Sequence, residues 1–134
     1  MKKLIVLLAM LITGCSTIKD SYLMTKFDAN EYQLITQIRI DSRYSINDCD
    51  NFFAAKNDAA VVAKETELFA LYSEHLPHNG DSYKAAQALN EIAQGLIKRY
   101  TAGEKVSTQF CKLKFEGIEH SADLIQTVLG GRPR

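Results

Sequence analysis

Three cysteines and three histidines hold most of the side chains capable of covalent or metal chemistry in this chain of 134 residues. Cys49 and Cys111 stand 62 residues apart, too far for a CxxC redox motif and without the CxxCH that attaches haem covalently. In an oxidising compartment an even pair of this kind reads as one disulfide. Closing so long a loop is worth roughly 4 kcal/mol in the chain-entropy treatment. His75 and His78 flank Leu76-Pro77. The proline breaks the helical spacing that a zinc-binding pair on one face needs, and no HExxH occurs, so no metal is expected. His120 falls among apolar residues, and a histidine on a core face needs a hydrogen-bond partner or a ligand. No GxSxG, SxxK or converging acid, base and nucleophile is present, so the chain does not read as an enzyme.

The remaining cysteine, Cys15, closes the opening stretch MKKLIVLLAMLITGC. Two lysines precede nine apolar residues, 4–12. As a helix these span about 14 Å, half the hydrocarbon core, which suits the apolar centre of a secretory signal rather than a membrane span. Ile12-Thr13-Gly14-Cys15 then resembles the lipobox of bacterial lipoproteins, an aliphatic residue and two small ones before cysteine. The resemblance covers residues 1–16. It implies cleavage before Cys15, a diacylglycerol on its thiol and usually a further acyl chain on the new N-terminus. Several acyl chains hold a protein on a bilayer where one does so only marginally. Ser16, where inner-membrane retention typically uses Asp, implies the outer membrane. The chain therefore divides into a signal peptide, 1–14, a lipidated N-terminus and tether, 15–27, and a domain, 28–134.

Loss of residues 1–14 leaves 120 residues with fourteen basic and sixteen acidic side chains, enough for one domain with a modest core. No basic stripe argues for nucleic acid. In the tether, Tyr22, Leu23 and Met24 are apolar and could pack on the domain or on lipid. Asp28 and Glu31 have capping-box spacing, with Phe27 and Tyr32 at the staple positions. Helix 1 is expected over 29–46, its stripe of Leu34, Ile35 and Ile38 fading in the second half. Asn47-Asp48 supplies a turn and a cap. Helix 2, 50–76, carries Phe52, Ala55, Ala59, Val62, Thr66 and Phe69 on one face. Pro77 ends it, and Asp81 or Ser82 caps helix 3, 82–101, with Ala86, Leu89, Ala93, Leu96 and Tyr100 inward. Gly103 stops that helix. Helix 4, 104–129, is read with Val106, Phe110, Leu113, Gly117, Leu124 and Val128 on its inner face, beside Ile118 and Ile125. Residues 130–134 are expected to fray.

Four amphipathic helices with short loops predict an all-α, up-down-up-down bundle. That topology puts Cys49 and Cys111 near the same end, so it accommodates the disulfide independently. It sets Cys15, the Pro77 loop and the C-terminus at the other end. Gly117 and Gly95 should face Ala88 and Phe110 across the last hairpin and let helices 3 and 4 close tightly. The inner face assigned to helix 4 puts His120 on or beside the core. Met24 and His120 together are similar to the methionine–histidine pair of b-type bundle cytochromes, which implies haem or another small ligand as an alternative; otherwise no cofactor is expected. Residues 41–81 carry eight acids and three bases, and 98–134 seven bases and four acids, so a basic helix 4 could touch anionic lipid or an acidic partner.

The plan of anchor, tether and disulfide-tied helical domain is similar to that of secretin pilots and exclusion factors. The stretch YLMTKFDANEY, residues 22–32, is similar to lipoproteins of bacteriophage genomes, which implies blocking of a receptor. The expectation is an outer-membrane lipoprotein facing the periplasm, held to the membrane by its lipid and binding another envelope protein.

Overall fold

A computed structural model of the chain describes residues 25–134. The expected signal peptide, Cys15 and most of the tether, including Met24, lie outside the described residues. Helix α1 spans Ala29–Ser45, and a 3-10 turn, Ile46–Asp48, continues from it. Helices α2, α3 and α4 span Phe52–Glu74, Gly80–Thr101 and Thr108–Gly130. They form an up-down-up-down bundle in which each helix packs against its neighbours in sequence and α4 closes back on α1.

Helices α1, α2 and α4 start where a side chain caps their free N–H groups. Helix α3 starts at Gly80 with no side-chain cap, and Asp81 and Ser82, expected to cap it, lie inside its first turn. The Asp28 carboxylate accepts from Glu31 N at 2.7 Å, and also from the Tyr72 hydroxyl at 3.1 Å, which ties the start of α1 to α2. The Phe27 and Tyr32 rings meet at 5.6 Å as the staple requires. For α2 the cap is Asn51, not the Asn47-Asp48 turn; its side chain accepts from Phe53 N and Ala54 N. Ser107 caps α4, accepting from Phe110 N at 3.2 Å, so that helix begins four residues later than expected. Gly103 ends α3 with φ +74°. Glu104 N reaches Arg99 O and Gly103 N reaches Tyr100 O, the paired bonds of a Schellman motif.

The expected inner faces of α2 and α3 are the observed ones except at Phe52, which the first turn of α2 leaves 42% exposed. Ala55, Ala59, Val62, Ala63, Thr66, Phe69 and Ala70 meet Ala86, Leu89, Ala93, Leu96 and Tyr100. The alanines let these two helices approach closely, and Thr66, Asn90 and Gln94 bridge them with hydrogen bonds. The face of α1 does not fade. It runs Glu31, Ile35, Ile38, Ser42, Ser45, all buried, with small hydroxyls replacing alkyl groups toward the turn. Thr36, Arg39 and Arg43 on α1 then join Glu119, Asp123 and Gln126 on α4 through a ladder of ion pairs and hydrogen bonds.

Helix α4 departs from expectation. Cys111, Phe115, Ile118, Ala122 and Leu129 point inward, whereas Leu113, Leu124 and Val128 are exposed. The disulfide Cys49–Cys111, with Cα atoms 5.7 Å apart, sets this phase. Residues 4, 7, 11 and 18 places after Cys111 share its face. Gly95 and Gly117 do not bring α3 and α4 together: a Cβ at either would meet no atom within 4 Å.

Candidate functional site

The pole where the described chain begins carries a buried polar cluster. Glu31 leads the inner face of α1, so its carboxylate is carried into the core rather than back to the cap. The Arg132 guanidinium meets it: Nη1 donates to Glu31 Oε2 at 2.6 Å, with the two side chains 9% and 1% exposed. Glu31 Oε1 accepts from Ser73 Oγ at 2.9 Å and Asn79 Nδ2 at 2.7 Å. Arg132 Nη2 donates to Asn79 Oδ1 at 2.7 Å and to the Ser82 hydroxyl. Both carboxylate oxygens are thus satisfied by elements from all four quarters of the bundle, as a buried charge requires.

This cluster corrects the expectation that residues 130–134 fray. Arg132 is pinned, Phe27 N donates to Pro133 O at 2.9 Å, and the Arg134 guanidinium lies 5.3 Å from the centre of the Phe27 ring. The Thr25 hydroxyl bonds to the His78 carbonyl. The incoming chain, the Pro77 loop and the C-terminus therefore share one pole. A cleft of about 660 Å³ opens there between Thr25, His78–Ser82 and Thr127–Arg132. It runs into an apolar groove of about 260 Å³ between the start of α3 and the end of α4, walled by Ala85, Leu124, Ile125 and Val128.

The opposite pole gathers aromatic rings and cations. Phe53 is 81% exposed at the first turn of α2. Phe52 stacks edge-on to Phe53 at 5.6 Å and to Tyr100 at 5.4 Å. Beside Tyr100, the Arg99 guanidinium lies 4.4 Å from the centre of the Phe110 ring, and Lys114 Nζ approaches the same ring at 5.4 Å. Cations over an aromatic face are held by its quadrupole. Residues 98–114 carry five basic side chains against one acid, Glu104. Exposed aromatics with arginine at the centre of a patch are the usual composition of a binding hot spot.

Along the seam of α1 and α2, burial pushes the Glu65 carboxyl up to about 8, helped by a hydrogen bond and repulsion from Asp41. Glu65 Oε2 is buried without a hydrogen-bond partner. Asp58 is raised in the same sense by burial and by Asp48. On α4, hydrogen bonding from Arg43 holds Glu119 below the ordinary carboxylate range.

His120 is not on the core face. The rotation of α4 that buries Cys111, Phe115 and Ile118 turns His120 out to solvent. Its expected partner Met24 and the lipidation candidate Cys15 lie outside the described residues. His75 and His78 are also exposed, His75 Nδ1 lying 3.0 Å from Leu71 O. Among the described residues no three His, Cys, Asp or Glu side chains are grouped to hold a metal ion, and no helix is long and apolar enough to cross a membrane. The sequence reading missed Arg132, Asn79 and Ser73. The available signal was the register of Glu31, four and seven residues before Ile35 and Ile38, which demands a buried cation. It also missed Phe53, which falls off the inner stripe of α2. No family model, curated protein or solved structure matches this chain.

Proposed function

We propose that this chain is a lipoprotein of a bacterial or phage-infected cell envelope. In this reading it is held to the outer membrane through Cys15, faces the periplasm, and binds another envelope protein as an adaptor or exclusion factor. The observation that carries the reading is the pairing of two features. A lipobox at 12–15 precedes a disulfide-tied bundle, and the chain enters that bundle at the pole opposite the Phe53–Arg99–Phe110 patch. An anchor at one end leaves the aromatic and basic end directed away from the bilayer. The partner chemistry that fits is an apolar socket rimmed by carboxylates. A ligand or haem held at His120 is not carried forward, because its imidazole is exposed on the outer face of α4 rather than on the core face that would exclude water.

Two experiments test the halves separately. Cys15→Ala should leave the chain unprocessed or release it from the membrane, with loss of labelling by radioactive palmitate; stable labelling would reject the anchor. Phe53→Ala with Arg99→Glu should abolish recovery of a stoichiometric envelope protein after crosslinking, while fractionation stays unchanged. Undiminished recovery would reject the patch.

A further inference from the structure

The apolar groove between α3 and α4 lies at the pole where the described chain begins, and two of its wall residues are bare. Leu124 and Val128 are 56% and 65% exposed. With Ala85 and Ile125 they line about 260 Å³ of almost wholly apolar space. The adjoining cleft shares Asp81, Ser82 and Val128 with this groove, and Thr25 is part of its lining. The residues immediately before Thr25 are Tyr22, Leu23 and Met24.

We infer that the groove is the seat of the chain's own residues 22–24. The argument is one of reach and chemistry. Thr25 is fixed by its hydroxyl to the His78 carbonyl, and two residues on Phe27 is fixed to Pro133. The first bond holds the end of the tether at the cleft that adjoins the groove, and the second holds the next turn of chain at the same pole. Three extended residues reach about 10 Å, and the groove walls are one helical turn long on each side, about 5–6 Å. Its volume accommodates the leucine and methionine side chains, whose shapes adapt readily to an irregular apolar slot. Asp81 and Ser82 at the rim offer polar partners to the Tyr22 hydroxyl or to the tether backbone.

Docking here sets the spacer length. With residues 22–24 seated, only 16–21 remain between Cys15 and the bundle, about 20 Å at full extension; unseated, 16–24 would reach about 30 Å. The inference about the groove stands apart from the adaptor reading, since it concerns contacts within one chain.

The chain has no tryptophan, so Leu23→Trp places a single reporter in the segment. The full processed chain is reconstituted in phosphatidylethanolamine–phosphatidylglycerol vesicles, and a chain that does not partition is read in buffer. The expected result is blue-shifted emission and several-fold weaker acrylamide quenching than free tryptophan. Both should be lost when Leu124→Asp and Val128→Asp are added, with helicity by circular dichroism unchanged. Met24→Cys with Ala85→Cys should also give a second disulfide in the absence of reductant, a readout that does not depend on the groove variants folding. Quenching by bromine-labelled lipid would overturn the inference by assigning the segment to the bilayer. Protection that grows with protein density in the vesicles would overturn it by assigning the groove to a second copy. So would emission indifferent to the groove substitutions, or failure of the cysteine pair to bond.

Discussion

Arg132 stands two positions before the last residue, where truncation and tagging are usually harmless, yet its replacement should be among the most damaging single changes in the domain. Arg132→Ala removes all three guanidinium bonds to the cluster and leaves the Glu31 carboxylate, 1% exposed, with only Ser73 and Asn79 as donors. Breaking one side of a buried ion pair costs about 3–5 kcal/mol. Both partners are nearly solvent-free, so screening does not dilute that figure as it would for a surface pair. Small domains are stable by about 5–15 kcal/mol in total. The loss should therefore lower Tm by roughly 10–20 °C for a domain of this size. The assay is urea unfolding followed by circular dichroism, on wild type, Arg132→Ala, Glu31→Gln and the double variant. Neutralising Glu31 removes the stranded charge, so the double variant should be much less damaged than the sum of the singles, with a coupling of about 2 kcal/mol or more. An Arg132→Ala protein within about 1 kcal/mol of wild type, or strictly additive singles, would refute the view that this pair holds the pole together.

Glu65→Gln should stabilise the fold above neutral pH. The carboxyl is raised from 4.5 to about 8 in the folded chain, so the folded state binds more protons than the unfolded one between those values. Stability then falls as pH rises through that window. The full shift would correspond to a ceiling near ~5 kcal/mol, which the partial exposure of the group reduces to about 1–2 kcal/mol. Unfolding free energies from pH 5 to 9 should converge for wild type and variant at the acid end and diverge at the alkaline end; parallel curves would refute the raised Glu65 carboxyl. Gly95→Ala and Gly117→Ala should each stabilise the bundle by about 1 kcal/mol, because the added methyl meets open space within a helix. A loss in thermal unfolding would indicate a close approach at that glycine. Cys49→Ser should abolish the mobility shift on reduction and cost about 2–4 kcal/mol by urea unfolding; an unshifted wild-type band would reject the Cys49–Cys111 bond.

Much of the fold was legible in the chain, and the misses have physical causes. Helices α2 and α3 each carry one apolar stripe among polar residues, so their inner faces could be read by spacing alone. Helix α4 carries two: Leu113, Gly117, Leu124, Val128 on one face and Cys111, Phe115, Ile118, Ala122, Leu129 on another. Periodicity cannot choose between them. Cys111 could have chosen, because a disulfide partner of Cys49 must point into the bundle, and that choice would have turned His120 outward as observed. In α1 the inner face continues through Ser42 and Ser45, which hydropathy discounts although a small hydroxyl packs as tightly as alanine. The Glu31 cluster was out of reach for a different reason. Glu31 is separated from its partners by 42 to 101 residues in sequence, and only the folded topology brings them to one pole.

The account turns on the pole opposite the tether meeting another protein of the envelope. The most direct test is a photo-crosslinking amino acid placed at Phe53 in the otherwise natural, anchored chain, irradiated in intact cells. One discrete adduct of constant mass should form, be identifiable by mass spectrometry as an envelope protein, and weaken when Arg99→Glu is introduced. No adduct from position 53, together with strong adducts from positions on the outer face of α4 such as Leu113, would contradict the account and move the binding face to that helix.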